Sequence, residues 1–461
     1  MPTPSLMFFV TLINIGFMLF VIFVQRRNSA ATWAWVAAIA LVPIGGFVVY
    51  MIFGQDSQKQ KVFLAKSEDD EALLATYQGL GVNEGDITEN NRITLFHEGA
   101  TKFDALLNDI ADAKSSIFVQ YYIFRGDEVG QQLVNSLAKR AKEGLEVRLM
   151  VDGMGCQFTP KAVFQPLMDA GGKFALFMPP VPVRINFRNH RKLVVIDGSV
   201  AYLGGLNIGK EYLGQHERFG FWRDTHIRLT GGAVQPLTLR FIMDWNFVAS
   251  NKNRWRIRVS KMDVSPQYFR ALPSDGLVHG AKVTIISSGP DTKYPNILHK
   301  FVEMIMYAKK SVYIQSPYFV PCDTLYTALR IAAIKGIDVR IMYPANPDHP
   351  FVYWAGLSYV GELMSAGAKG YEYTRGFIHC KTLMIDSQVC AIGSANMDVR
   401  SFKINFETHA FIEDAAITME LEEAFRRDMV ECRLLDIETY SLRPRVTKIR
   451  EAVARLFSPL I

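Results

Sequence analysis

Cysteine is scarce and unpaired in this 461-residue chain: Cys156, Cys322, Cys380, Cys390 and Cys432 are odd in number, widely spaced and nowhere in C-x-x-C register. That excludes a disulfide framework and a zinc site built on paired thiolates, and it favours a reducing compartment. Excess charge is also scarce, 51 Lys and Arg standing against 45 Asp and Glu for a net of +6. Such a balance suits an anionic membrane surface or a phosphate-bearing substrate, but it lacks the larger positive surplus expected of a nuclease groove. Two long stretches lack charge altogether, Leu6 to Val24 and Trp33 to Phe53, with QRRNSAAT between them. At 19 and 21 residues, each is close to the ~20 that cross a bilayer as a helix. Basic residues come after the first run instead of preceding it, which argues against a cleaved signal peptide. A two-helix transmembrane hairpin is therefore expected over residues 1–55, with Trp33, Trp35 and Tyr50 near the interfaces. Arg26 and Arg27 in the loop nearly cancel Lys59, Lys61 and Lys66 as orientation signals, so the free thiols tip the remainder towards the cytoplasm.

The chain beyond residue 55 is long enough for more than one core, and it repeats itself. After an acidic, polar linker (56–92), AKSSIFVQYYIF (113–124) is echoed by AKKSVYIQSPYF (308–319). GLEVRLMVD (144–152) is echoed by GIDVRIMYP (336–344), and LMDAGGK (167–173) by LMSAGAK (363–369). The offsets stay between 192 and 196 residues, the mark of a duplicated unit in which strands alternate with helices. The expected organisation is a first repeat over 93–258, a connector over 259–280 and a second repeat over 281–445. A C-terminal amphipathic segment (446–461) carries Ile449, Val453, Leu456 and Leu460 at helical spacing, fit either for a membrane interface or for packing on the domain.

The chemistry-bearing stretch is NHRKLVVIDG (189–198), where His190, Lys192 and Asp197 spell H-x-K-x4-D. The same pattern returns in HCKTLMID as His379, Lys381 and Asp386, and each copy is followed by a turn and an asparagine, GGLN (204–207) and GSAN (393–396). Side chains alternate faces along a strand, so each histidine shares a face with its lysine. An imidazole beside an ammonium suits a phosphodiester: the imidazole attacks phosphorus, and the cation offsets charge on the non-bridging oxygens. Asn207 and Asn396, with Gly205 and Ser394 of the turns, are the candidate phosphate-binding groups. One half would supply a nucleophile and the other a proton donor, and the near-symmetry of the motifs does not choose between them. No metal or other cofactor is expected, because the aspartates fall at the wrong spacing for a cation cage and the lysines would repel the ion.

Together with FRNHRKLVVIDG (187–198), SPYFVP (316–321) and GFIHCKTLMIDSQVCAIGSANMDVRSFKINFE (376–407), these motifs resemble the phospholipase D superfamily, and within it the bacterial cardiolipin synthases. The resemblance implies an N-terminal transmembrane hairpin leading into duplicated α/β/α sandwich units packed with pseudo-two-fold symmetry. It implies transfer of a phosphatidyl group from one phosphatidylglycerol to another, giving cardiolipin and glycerol through a phosphohistidine; the alternative is a membrane-anchored phosphodiesterase, lipid hydrolase or nuclease. By the same carry-over Glu407 serves His190, Asp224 serves His379, and His190 is the nucleophile. Asp197 and Asp386 complete the motif set, with a bracing role implied for both. Cys380, between His379 and Lys381, should point away from the phosphate. The implied setting is a bacterial cytoplasmic membrane crossed more than once, with the catalytic region facing the cytoplasm. Phosphatidylglycerol, other anionic phospholipids and the bilayer are the expected partners, nucleic acid is not, and a homodimer is left open. FMPPVPVRINF (177–187), just before the first motif, is equally fit for a lip admitting acyl chains or for a buried connection.

Since lysines and asparagines supply the positive potential and the donors, turnover should survive a chelator. Loss of turnover restored by one specific divalent ion would contradict this reading of the motif.

Overall fold

The repeated apolar runs do what their composition demands, forming short buried strands that carry helices on both faces of a sheet. The structure, a computed structural model, describes residues 4–23, 29–42, 44–46, 50, 57–77, 83–178, 186–250, 259–269 and 280–458. In chain order the helices are α1 (Pro4–Phe23), α2 (Ser29–Leu41), α3 (Ser57–Tyr77), α4 (Gly99–Asp112), α5 (Glu128–Lys142), α6 (Gln165–Asp169) and α7 (Val234–Ser250). The second half adds α8 (Asn296–Tyr307), α9 (Asp323–Ile334), α10 (Pro350–Ser365), α11 (Val399–Lys403), α12 (Ala415–Val430), α13 (Ile437–Ser441) and α14 (Arg445–Leu456). The strands of the first half are β1 (Ile87–Phe96), β2 (Ser116–Tyr121), β3 (Glu146–Asp152), β4 (Lys173–Phe177), β5 (Leu193–Ile196), β6 (Val200–Gly204), β7 (Phe221–Arg223) and β8 (His226–Thr230). Those of the second are β9 (Ala281–Ser288), β10 (Ser311–Gln315), β11 (Phe319–Val320), β12 (Asp338–Pro344), β13 (Lys369–Tyr373), β14 (Gly376–Ile378), β15 (Thr382–Ile385), β16 (Val389–Gly393), β17 (Met397–Asp398), β18 (Glu407–Glu413) and β19 (Cys432–Leu434).

The two halves share one 15-stranded sheet, ordered β19-β13-β12-β10-β15-β16-β18-β9-β1-β8-β6-β5-β2-β3-β4. Read outwards from the central β9–β1 pair, the strands match one for one as far as β13 and β4, with β19 an added edge strand of the second half, which is the duplication expressed as pseudo-two-fold symmetry. β1 and β9 run antiparallel through an irregularity between Thr88 and Asn91. The Asn91 amide fills the gap by donating to the Thr88 carbonyl (3.0 Å), Thr88 Oγ1 (2.9 Å) and the Ala281 carbonyl (3.0 Å). One apolar cluster, including Phe118, Phe241 and Ile227 of the first half and Ile285, Met384 and Phe425 of the second, spans both halves on one face of the sheet. On the other face each half has its own core.

Three expectations need correction. Residues 57–77, read as part of a linker, form α3, and β1 begins at Ile87. Lys66, expected as a juxtamembrane charge, is wholly buried on α3 and bonds Asp70 (2.6 Å) and Asp291 (2.7 Å), with Asp244 at 3.5 Å. It joins α7 of the first half to the loop after β9 in the second, and it says nothing about membrane orientation. The second apolar run is not one straight helix: α2 has 13 residues and ends at Leu41, two residues before Pro43, and only part of 42–53 is described. Among the described residues no helix is long and apolar enough to cross a membrane. The C-terminal segment forms α14, which packs on the domain, one of the two fates left open for it, through Glu451 and Ala454, with Ile449, Val453 and Leu456 exposed. Leu460 and most of the apolar, proline-rich stretch before the first motif (179–185) lie outside the described residues.

Removing one partner from a buried ion network leaves uncompensated charge, at a cost of about 3–5 kcal/mol. Lys66→Met should therefore lower unfolding stability by that order, while Lys66→Arg keeps most of it. Denaturant titration of the two variants in the same detergent checks the difference.

Candidate active site

Each motif histidine is held by backbone pairing to the other half. His190 N donates to the Phe406 carbonyl (3.0 Å) and Phe406 N to the Arg188 carbonyl (2.8 Å). In the same way β14 pairs in parallel with β7, and His379 N donates to the Arg223 carbonyl (2.7 Å). The residue after Phe406 is Glu407 and the residue after Arg223 is Asp224, so each pairing delivers a carboxylate to the histidine of the opposite half. Glu407 Oε1 lies 2.9 Å from His190 Nδ1 and Asp224 Oδ2 lies 2.7 Å from His379 Nδ1. Both carboxylates are fully buried.

The lysines curl back in matched fashion, Lys192 Nζ donating to the His190 carbonyl and Lys381 Nζ to the His379 carbonyl, each at 2.6 Å. Each is close enough to disfavour protonation of the other half's histidine, which draws both motifs into one site. Burial lowers the His190 pKa to about 4, with Lys192 and Lys381 adding to the effect and Glu407 opposing it. Burial and Lys381 likewise lower His379 against the pull of Asp224. Burial draws Lys192 well below the ordinary lysine value and Lys381 below it too. Burial alone would raise both carboxyls. The His190 partner overcomes it for Glu407, and Lys381 and His379 overcome it for Asp224, so both end below their usual range.

The remaining candidates scatter. Asp197 and Asp386 stand at the far ends of β5 and β15, a few strand residues from the lysines. Asp197 accepts from the backbone N–H groups of Lys114 (2.7 Å), Ser115 (2.7 Å) and Ser116 (3.0 Å). Asp386 accepts from those of Lys309 (2.8 Å), Lys310 (2.7 Å) and Ser311 (2.8 Å). Both sit at positive φ, 53° and 55°, where their short side chains turn back onto the backbone. They brace turns and do not touch the imidazoles. Gly205 and Ser394, expected at the phosphate, are also engaged elsewhere. Gly205 N donates to the Thr225 carbonyl (3.0 Å), and a Cβ there would lie 2.0 Å from Asp224 Oδ1. Its missing side chain makes room for the carboxylate. At the matching turn Ser394 Oγ donates to Glu407 Oε2. Asn207 accepts from Ile123 N (3.1 Å) and donates to Tyr212 Oη (3.2 Å), whereas Asn396 Oδ1 is buried without a partner.

Beneath the histidines lie groups that the motifs did not announce. Asp244 on α7 accepts from Arg191 Nη1 (2.5 Å), Gln120 Nε2 (2.8 Å) and Asn189 Nδ2 (3.1 Å), and Arg191 Nε reaches Thr408 Oγ1 (2.9 Å). In the second half Asp428 on α12 accepts from Arg223 Nε (2.9 Å) and Gln315 Nε2 (2.8 Å). Cys380 takes the place that Arg191 holds in the first motif, and Arg223 Nη1 lies 3.4 Å from its Sγ. Gln120 and Gln315 occupy matching places in the repeated strand, a signal the sequence did carry. Among the described residues no cluster of three or more His, Cys, Asp or Glu could hold a metal ion.

A site shared by two quasi-equivalent halves of one sheet, with crossed histidine–carboxylate pairs, is the architecture of a two-motif phospholipase D-type enzyme. The family model described as "Cardiolipin synthase, PLD-like domain" matches residues 106–228 and 301–429, and one described as "Phospholipase D-nuclease N-terminal" matches 12–55. The chain is 41% identical to a cardiolipin synthase of Listeria welshimeri and to the major cardiolipin synthase of Bacillus subtilis, covering 98% of both chains in each case. A phosphatidylserine synthase structure from Haemophilus influenzae shares the fold at a TM-score of 0.61 and 15% identity, over 85% of this chain and 100% of that one. The protein belongs to the cardiolipin synthase family of phospholipase D-like enzymes.

A histidine that is neutral when folded and binds a proton at about 6.5 when unfolded costs stability as pH falls between the two values. His190 should titrate near pH 4 by histidine-selective NMR, and folding stability should decline from about pH 6.5 downwards. Glu407→Gln removes the group that raises the His190 pKa, so titration should move lower still.

Proposed function

We infer that the protein is a phosphatidyltransferase that makes cardiolipin and glycerol from two phosphatidylglycerol molecules, His190 acting as nucleophile and His379 as acid and then base. One observation carries the chemistry: each imidazole has Nδ1 engaged by a carboxylate of the opposite half, which leaves Nε2 of each as the nitrogen available to a phosphodiester. His190, neutral and oriented by Glu407, attacks the phosphodiester of the donor through Nε2. The P–O bond to glycerol breaks as His379 protonates the departing oxygen. His379 then takes the proton from a hydroxyl of the second phosphatidylglycerol, the new O–P bond forms, and the P–N bond to His190 breaks. Binding of the anionic phosphodiester opposes the lowering of the Lys192 and Lys381 pKa values by burial, and the two ammonium groups stabilise the non-bridging oxygens together with Asn207 and Asn396. Asp224 accepts from His379 Nδ1–H and so supports the imidazolium that protonates the departing oxygen from Nε2, leaving Nε2 with a free lone pair for the second step.

The membrane setting is argued from the N-terminal helices. α1 spans 20 residues, and most of its described exposed side chains, Phe8, Phe9, Leu12, Ile13 and Phe23 among them, are apolar. Trp35 and Tyr50 pack edge to face with ring centres 5.2 Å apart, against Val21 and Ile39. An apolar surface of this kind is stable in lipid and not in water, so we propose that the hairpin inserts in the bacterial membrane and holds the site beside its substrate. The unpaired thiols favour a cytoplasmic catalytic region.

Protein supplied with phosphatidylglycerol should release cardiolipin and glycerol and little phosphatidic acid. His379→Ala, trapped during turnover, should carry a phosphatidyl adduct on His190. His190→Ala should carry none and lose turnover by roughly three orders of magnitude or more. An adduct on His379 with His190 unmodified would reverse the roles, and a predominance of phosphatidic acid would favour the hydrolase.

A further inference from the structure

Cardiolipin synthesis brings two phosphodiesters to one site, and the two motifs account for one. The acceptor carries its own phosphate, three carbons from the hydroxyl that attacks. Water and free glycerol carry no such charge.

Arg188 lies two residues before His190, so strand alternation sets it on the face shared by His190 and Lys192. It is only 4% exposed. Its Nη1 donates to the Phe187 carbonyl (2.8 Å), while Nη2 is buried without a partner, and the side chain pairs with no described carboxylate. Arg400 comes from the second half at the start of α11 and grips the same segment, its Nη1 and Nη2 donating to Asn186 Oδ1 (2.7 Å) and the Asn186 carbonyl (2.6 Å). Both guanidiniums lie within electrostatic reach of Tyr122, whose ring centre is 5.0 Å from the His190 ring and 5.4 Å from Lys192 Nζ. The nearby carboxylates are committed elsewhere, Glu407 to His190. Asp152 accepts from the backbone N–H groups of Met154 (2.9 Å), Gly155 (3.0 Å) and Asn189 (2.9 Å), and Asp398 caps α11 through Ser401 N (2.6 Å).

A buried guanidinium with an unused donor and a second cation beside it is costly until an anion arrives. In the transfer reading the donor phosphate is already met by Lys192, Lys381, Asn207 and Asn396, which leaves the arginines for a second anion. We propose that Arg188, with Arg400 beside it, binds the phosphate of the acceptor phospholipid and so holds its hydroxyl against the phosphohistidine on His190. The arginines form hydrogen bonds only. The acceptor proton goes to His379, and the bond broken is P–Nε2 of His190, as in the transfer step on which this assignment rests.

The test compares two acceptors after one common first step. Full-length protein in vesicles of phosphatidylglycerol and a neutral phospholipid is given labelled glycerol, and cardiolipin formation is measured beside incorporation of label into phosphatidylglycerol. Arg188→Gln should lower the ratio of synthesis to exchange by about tenfold or more, the scale of a lost hydrogen bond to a charged group. Arg188→Lys should fall between that variant and the wild type, and Arg400→Gln should lower the ratio a few-fold. If both reactions fall in parallel, or neither changes, the assignment is overturned. Should Arg188→Gln not accumulate as folded protein, the partly exposed Arg400 decides by the same ratio. Wild-type protein that exchanges glycerol or forms phosphatidic acid without cardiolipin overturns the transferase reading, and this assignment with it.

Discussion

The crossed pairing of each histidine with a carboxylate from the other half is the constraint on which the rest of the structure depends. It requires the segment from Arg188 to His190 to lie beside Phe406, just before β18, and the strand before His379 to lie beside the one before Asp224. Those neighbours exist only because β1 and β9 join the two halves into one sheet. Neither repeat could build a competent site alone, and a slip of one residue at either crossing would turn the imidazole to the wrong face. The irregularity filled by Asn91 and the Lys66 ion network both act on this central seam, where an error of register would cost most.

The layer beneath the site explains how near-identical motifs sit in different surroundings. Under His190 the arginine comes from the motif itself, Arg191, and meets Asp244; under His379 it comes from the carboxylate strand, Arg223, and meets Asp428. The other motif has Cys380 at the corresponding place, buried and inert, because burial pushes its thiol up to about 12. Each half thus has one arginine–aspartate brace, reached from opposite chain positions. A similar exchange separates the two turns, where Gly205 yields space to Asp224 while Ser394 hydrogen-bonds Glu407. Duplication preserved the geometry of the pairs while their supports diverged.

Burial sets the protonation states that the chemistry needs. An imidazole kept neutral well below pH 6.5 is a competent nucleophile throughout the physiological range, and its Nδ1 partner fixes which nitrogen is free. The same low-dielectric surroundings lower the pKa of both lysines, and an entering anion opposes that lowering. The site is therefore responsive to its substrate's charge, a property that a more solvated pocket would lose to water.

Much of this was legible in the chain. Strand periodicity in LVVI and TLMI, the constant offset between repeats and the doubled H-x-K-x4-D pattern are local properties, and local physics set the alternation that pairs each histidine with its lysine. Reasoning from the turns did not foresee that Gly205 makes room for Asp224 or that Ser394 hydrogen-bonds Glu407, carboxylates more than a dozen residues away. It failed at Lys66, which reads as a surface charge until three aspartates from separate segments close over it. It missed Arg188, Arg191 and Arg223, which look ordinary until burial decides which guanidinium is paired and which is left with an unused donor. Pattern along a chain determines which faces are apolar and which residues share them. Which distant groups meet, and therefore which charges are compensated and which nitrogens stay free, is decided only when the two halves close across β1 and β9, because those energies depend on burial and distance and not on spacing in sequence.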